Sequence, residues 1–97
     1  MAFSDQYDFS LLVNERERYV SDELEHQLES RPDVCRCQEC VLDMFALALN
    51  HTKPAYRVTL LGAIYAQAND EETTKEIENA VLNAVNKIHE NPSHMNH

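Results

Sequence analysis

Apolar residues recur at helical spacing along most of this 97-residue chain. From Ser10 onward, Val13, Val20, Leu24 and Leu28 form one stripe. Glu15, Arg16, Arg18, Asp22, Glu23 and Glu25 occupy other faces, which predicts an amphipathic first helix. Ser30-Arg31-Pro32 ends it, because the residue before a proline is pushed out of the helical region. A second helix is predicted from about Cys37 to Leu49, with Val41, Met44, Phe45, Ala48 and Leu49 inward. Asn50-His51-Thr52-Lys53-Pro54 breaks the chain again. Tyr56-Arg57-Val58-Thr59 has strand propensity but no visible partner, and reads as an extended linker. A third helix is expected over about Leu60 to Asn69, with Leu61, Ile64, Tyr65 and Ala68 inward. Asn69 or Asp70 then caps a fourth helix, with Glu72 three residues after Asn69 as in a capping box. Ile77, Val81, Ala84, Val85 and Ile88 form its stripe, and Asn91-Pro92 stops it.

The expected fold class is therefore all-α, a small four-helix domain filling residues 1–97. One glycine and three prolines leave little turn material for many short strands. So short a chain has little core to spare. The stripes on the first and fourth helices are either core or the seam of a homodimer, and the sequence does not separate the two.

Net charge changes the picture of partners. At −9 the chain repels phosphate at long range, so no direct DNA or RNA binding and no anionic membrane surface is expected. No apolar run approaches the length of a membrane span. The Met1-Ala2-Phe3 start lacks a basic region followed by an apolar core, which predicts a cytoplasmic protein. The charge is unevenly spread. Arg31, Arg36, Lys53 and Arg57 outnumber Asp33, Glu39 and Asp43, so residues 31–57 form the only stretch that is not acidic.

Within that stretch sits the chemistry. Cys35, Cys37 and Cys40, the only cysteines, form a C-x-C-x-x-C cluster where a loop enters the second helix. Thiolate and imidazole groups gripping one point are what zinc prefers, and a helix N-terminus favours thiolate over thiol. Disulfides fit poorly, since three is odd and Cys35 and Cys37 are too close for an unstrained bridge. Three unligated thiols in a reducing compartment, or a redox role, are the alternatives. A fourth ligand is needed for a closed site. His94 and His89, either side of Glu90-Asn91-Pro92-Ser93, are the candidates that a returning tail would supply; a partner subunit or water are others.

Val13-Asn14-Glu15, the cysteine cluster, Asp43, and Ala46-Leu47-Ala48-Leu49-Asn50 followed by Pro54-Ala55-Tyr56 resemble the late-competence development ComFB family over roughly Leu12 to Gly62. The resemblance implies a small helical homodimer with a cysteine-bound zinc in each subunit and no known catalytic activity. It also implies a receptor for cyclic dinucleotides, cyclic di-GMP above all, linked to motility, pili and competence. Some members carry a fourth cysteine near the C-terminus, where this chain offers only histidines. Ala55 stands where the family often has a second proline.

A cyclic dinucleotide presents two phosphates for arginine and two purine faces for stacking. Arg57 beside Tyr56 meets both needs, with Lys53 and Arg36 near in sequence. The alternative is that Tyr56 packs in the core and Arg57 pairs with a surface carboxylate. A zinc-stabilised structural or adaptor protein acting through protein contacts is the competing function. An enzyme is disfavoured, since no glycine-rich phosphate loop, HExxH helix or nucleophile elbow appears.

Overall fold

The computed structural model describes residues 2–58 and 71–93. The predicted third helix, the Asn69/Asp70 cap and His94 lie outside the described residues. Among the described residues three helices carry the fold: α1 (Arg16–Glu29), α2 (Gln38–Asn50) and α3 (Glu71–Glu90), the last being the fourth of the sequence prediction.

Each helix buries one row of its surface. α1 contributes Val20, Leu24 and Leu28, and α2 contributes Cys40, Met44 and Ala48, both at four-residue steps that stack on one face. α3 contributes Ile77, Ala80, Val81, Ala84 and Val85, the i, i+3, i+4, i+7, i+8 pattern of a broad apolar stripe. Alanines at 48, 80 and 84 keep side chains short where α2 and α3 pack together. Apart from Val13, the stripes of the first and fourth predicted helices are thus core. Each fully buried valine, leucine or methionine contributes about 1.5–3 kcal/mol of transfer free energy. No described helix is long and apolar enough to cross a membrane.

The helix ends have local causes. Ser30 and Arg31 close α1 through N–H bonds to the carbonyls of Gln27 and Leu28. Val34, nearly fully buried, then plugs the core from the loop that follows. Asn91 donates to the carbonyls of Lys87 and Ile88 and ends α3 just ahead of Pro92.

Two expectations are corrected. The first helix begins at Arg16, not at Ser10. Phe3–Asp5 and Phe9–Leu11 form separate 3₁₀ turns, the second capped by Asp8, whose carboxylate accepts the Ser10 N–H at 3.0 Å. Val13 consequently leaves the predicted core stripe and is exposed. It belongs instead to a short strand, β1 (Val13–Asn14), that pairs antiparallel with β2 (Tyr56–Arg57) in the register Val13↔Arg57 and Asn14↔Tyr56. The extended segment therefore has a partner strand, and the fold is mostly helical rather than purely so. A two-residue ladder between segments more than forty positions apart leaves no periodic trace in either one.

Candidate functional site

Two places gather the candidate side chains. The first is the turn into α2. Cys37 is its N-cap with an extended backbone (φ −71°, ψ 163°), so its sulfur faces the first turn and accepts the Cys40 N–H at 3.4 Å. That contact satisfies one of the unpaired donors of the helix start and stabilises negative charge on the sulfur. Cys40 is fully buried, while Cys35 and Cys37 are half-buried against the core.

The three sulfurs lie within 4.8 Å of one another. Three sulfurs about 2.3 Å from a tetrahedral zinc stand roughly 3.8 Å apart, so small side-chain rotations close the cluster on an ion. The residues present fit a metal.

The loop carrying Cys35 is fastened to α3. Arg31 makes a two-pronged contact with Asp33, from Nε at 3.1 Å and Nη2 at 3.2 Å, and its Nη1 donates to Asn86 Oδ1 at 3.2 Å. Those guanidinium hydrogen bonds hold the Asp33 carboxyl below the usual carboxylate range. His89 Nε2 lies 3.4 Å from Asp33 Oδ2. The structure thus sets His89 against this carboxylate and does not gather it with the three thiols. Beyond α3, the buried Ser93 donates its hydroxyl to Asp43, three residues after Cys40 and on the same side of α2. The chain does return to the helix that bears the cysteines, and His94 is the next residue.

The second place is the β1–β2 ladder. Asn14 Oδ1 accepts the Arg16 N–H at 3.2 Å and the Ala55 N–H at 2.9 Å, starting α1 and fixing the Pro54-Ala55-Tyr56 step at once. Glu15 N–H donates to the Ala55 carbonyl at 2.8 Å. Arg16, buried despite its charge, donates from Nε to the Lys53 carbonyl at 2.9 Å.

On this frame Arg57 Nε pairs with the Glu15 carboxylate. Arg18 Nη2 approaches the same carboxylate at 3.9 Å, its guanidinium also sitting 5.0 Å from the Tyr19 ring centre. Two guanidinium groups thus share one acid. Tyr56 is not core: its side chain is exposed. Lys53 is exposed and opens the same segment. Arg36 is exposed in the cysteine loop, so the structure leaves it with the thiols rather than with the ladder.

Sequence reasoning missed Glu15, Arg18, Asn14 and Asp33 as parts of these sites. Glu15 stood in the sequence within the Val13-Asn14-Glu15 motif and, like Arg18, on a polar helix face, without a partner. What marks them is the ladder, which nothing local announces.

The cysteine turn and the ladder, built from Val13-Asn14-Glu15 and Pro54-Ala55-Tyr56, fall inside one family model. The model for the late competence development protein ComFB matches residues 13–92. The chain belongs to the ComFB family. A solved ComFB-family structure, described as the late competence protein ComFB from Bacillus subtilis, is similar at a TM-score of 0.68 with 26% identity. The similarity covers 87% of this chain and 97% of that one. No curated protein matches this ComFB-family chain at the sequence level.

Proposed function

We propose that this ComFB-family protein is a non-enzymatic cytoplasmic receptor for a cyclic dinucleotide, cyclic di-GMP first, regulating competence, pili or motility. In this reading zinc is structural. Cys35, Cys37 and Cys40 would hold it, and His94 would complete the set, a role supported by the Ser93 bond to Asp43 one turn beyond Cys40. Three thiolates and an imidazole make a closed site, which serves folding rather than catalysis.

The observation that carries the reading is the convergence of Arg57 and Arg18 on Glu15, with Tyr56 exposed one residue earlier on the same strand. Glu15 engages Arg57 through Nε, and the two Nη groups carry the remaining donors of the guanidinium fork. A phosphate meeting that fork gains charge-assisted hydrogen bonds, and a purine finds a ring to stack on. The groove between α1 and α3, lined by Glu23, Glu29 and Glu78, opposes phosphate.

Thermal-shift screening against cyclic di-GMP, cyclic di-AMP and linear dinucleotides tests the proposal. A ligand at a hundredfold excess over its dissociation constant adds about 2.7 kcal/mol of stability. Stabilisation by a cyclic dinucleotide and not by linear ones supports the receptor. Indifference to all of them favours the adaptor reading, which the exposed apolar side chains of the N-terminal segment fit equally well.

A further inference from the structure

Two adjoining hollows lie between α1 and α3, of about 570 and 220 Å³, and Glu23 and Glu78 stand in the walls of both. Together they make one groove that follows α1 from Tyr19 to Ser30, a length of about 16 Å at the helical rise per residue. Its walls carry Asp22, Glu23, Glu29 and Glu78 and, among the described residues, no lysine or arginine. Nor does any described lysine or arginine form an ion pair with Glu23, Glu29 or Glu78.

The groove is not only acidic. Tyr19 and Ile77 give it apolar surface at one end, and Leu82, 44% exposed, does so at the other. Gln27 ties the two walls together. Its side-chain amide donates to Glu23 Oε2 at 2.8 Å and to the Glu78 carbonyl at 3.1 Å. That bond between helices sets the spacing of the walls before anything docks, which lowers the cost of ordering them.

Charge decides the occupant. Nucleic acid and anionic lipid are repelled. A metal ion has no place here, because among the described residues only the cysteine turn brings ligating atoms close enough together. A second copy fits poorly, since α2 has no lysine or arginine and α1 and α3 each carry more acids than bases. The complement is a helix of another protein, apolar along one face with basic residues on either side of it.

We propose that the α1–α3 groove is the docking site for a basic amphipathic helix of a protein partner. Apolar side chains of that helix rest on Tyr19 and Leu82, and its lysines or arginines meet the carboxylates of both walls. About three helical turns fill the length. Arg57 and Tyr56 take no part, so the surface does not rest on the receptor reading.

Fluorescence anisotropy on the full chain tests the groove. The probe is a labelled peptide of about twelve residues with leucines along one helical face and lysines elsewhere. The wild type should bind it, and should bind a scrambled peptide of the same composition several times more weakly. Glu29→Lys with Glu78→Lys should weaken binding about tenfold or more, since two attractive contacts become repulsive. Glu17→Lys with Glu90→Lys makes the same change in net charge at exposed positions outside the groove, and should cost less than about threefold. Leu82→Ala, which leaves the charge alone, should weaken binding severalfold. Circular dichroism should show native helicity in all of them. Equal losses in the two charge-reversed pairs would mean attraction by net charge alone and would overturn the site. Equal binding of the scrambled peptide, or no binding by the wild type, would overturn it too.

Discussion

The side-chain oxygen of Asn14 accepts the backbone N–H of Ala55 at 2.9 Å, across 41 positions of chain. The same oxygen accepts the Arg16 N–H, so one amide both starts α1 and anchors the segment that presents Tyr56 and Arg57.

Removing that amide strands two partly buried donors. Asn14→Ala should therefore cost about 1–3 kcal/mol, and a domain of this size loses roughly 4–8 °C in melting temperature per kcal/mol. Asn14→Asp keeps the acceptor and should recover most of it. Thermal unfolding by circular dichroism checks both, and a neutral Asn14→Ala would show that the ladder is held by its backbone bonds alone.

Much of this fold was legible in the sequence, and what was not has one physical cause. The stripes of α1, α2 and α3 repeat every three or four residues, so Val20, Met44 and Val81 declare themselves core without knowledge of the rest. The Ser30-Arg31-Pro32 and Asn91-Pro92 stops are equally local. The cysteine cluster is local too, since all its sulfurs lie on six consecutive residues. Val13 misled because it falls on the helical period of α1 by coincidence, while its actual neighbour is Arg57. Glu15 as the partner of Arg57, Asp33 as the partner of His89, and Ser93 as the partner of Asp43 are all long-range pairings. Each becomes visible only once three helices have packed.

The metal account predicts about one zinc per chain in reduced protein. Cys37→Ser should lose most of it together with much of the helicity, because metal binding and folding are one equilibrium in so small a domain. His94→Ala should weaken zinc retention more than His89→Ala, since His89 faces Asp33 while His94 follows the Ser93 contact to α2. Metal analysis of the variants decides it, and equal retention in both would move the fourth ligand elsewhere.

Asp33 gives a pH signature. Hydrogen bonds from Arg31 hold its carboxyl below the ordinary value of 3.8, so the folded state binds its proton less readily than the unfolded chain. The stabilisation is fully present above that ordinary value and disappears as the pH falls through the lower folded value. The gap in melting temperature between wild type and Asp33→Asn should shrink on acidification below about pH 4. A gap that grows in acid would show that the Arg31–Asp33 contact is not what fastens the cysteine loop.

The receptor claim meets its most direct test in calorimetric titration of cyclic di-GMP into wild type and Arg57→Ala. Loss of a charge-assisted contact of about 1.5–3 kcal/mol should weaken binding by one to two orders of magnitude. Arg18 still faces Glu15 in the variant, so zinc content and helicity should not change. Arg57→Lys should rescue only in part, because an ammonium lacks the planar fork. Unaltered affinity in Arg57→Ala, or no binding by the wild type, would contradict the account.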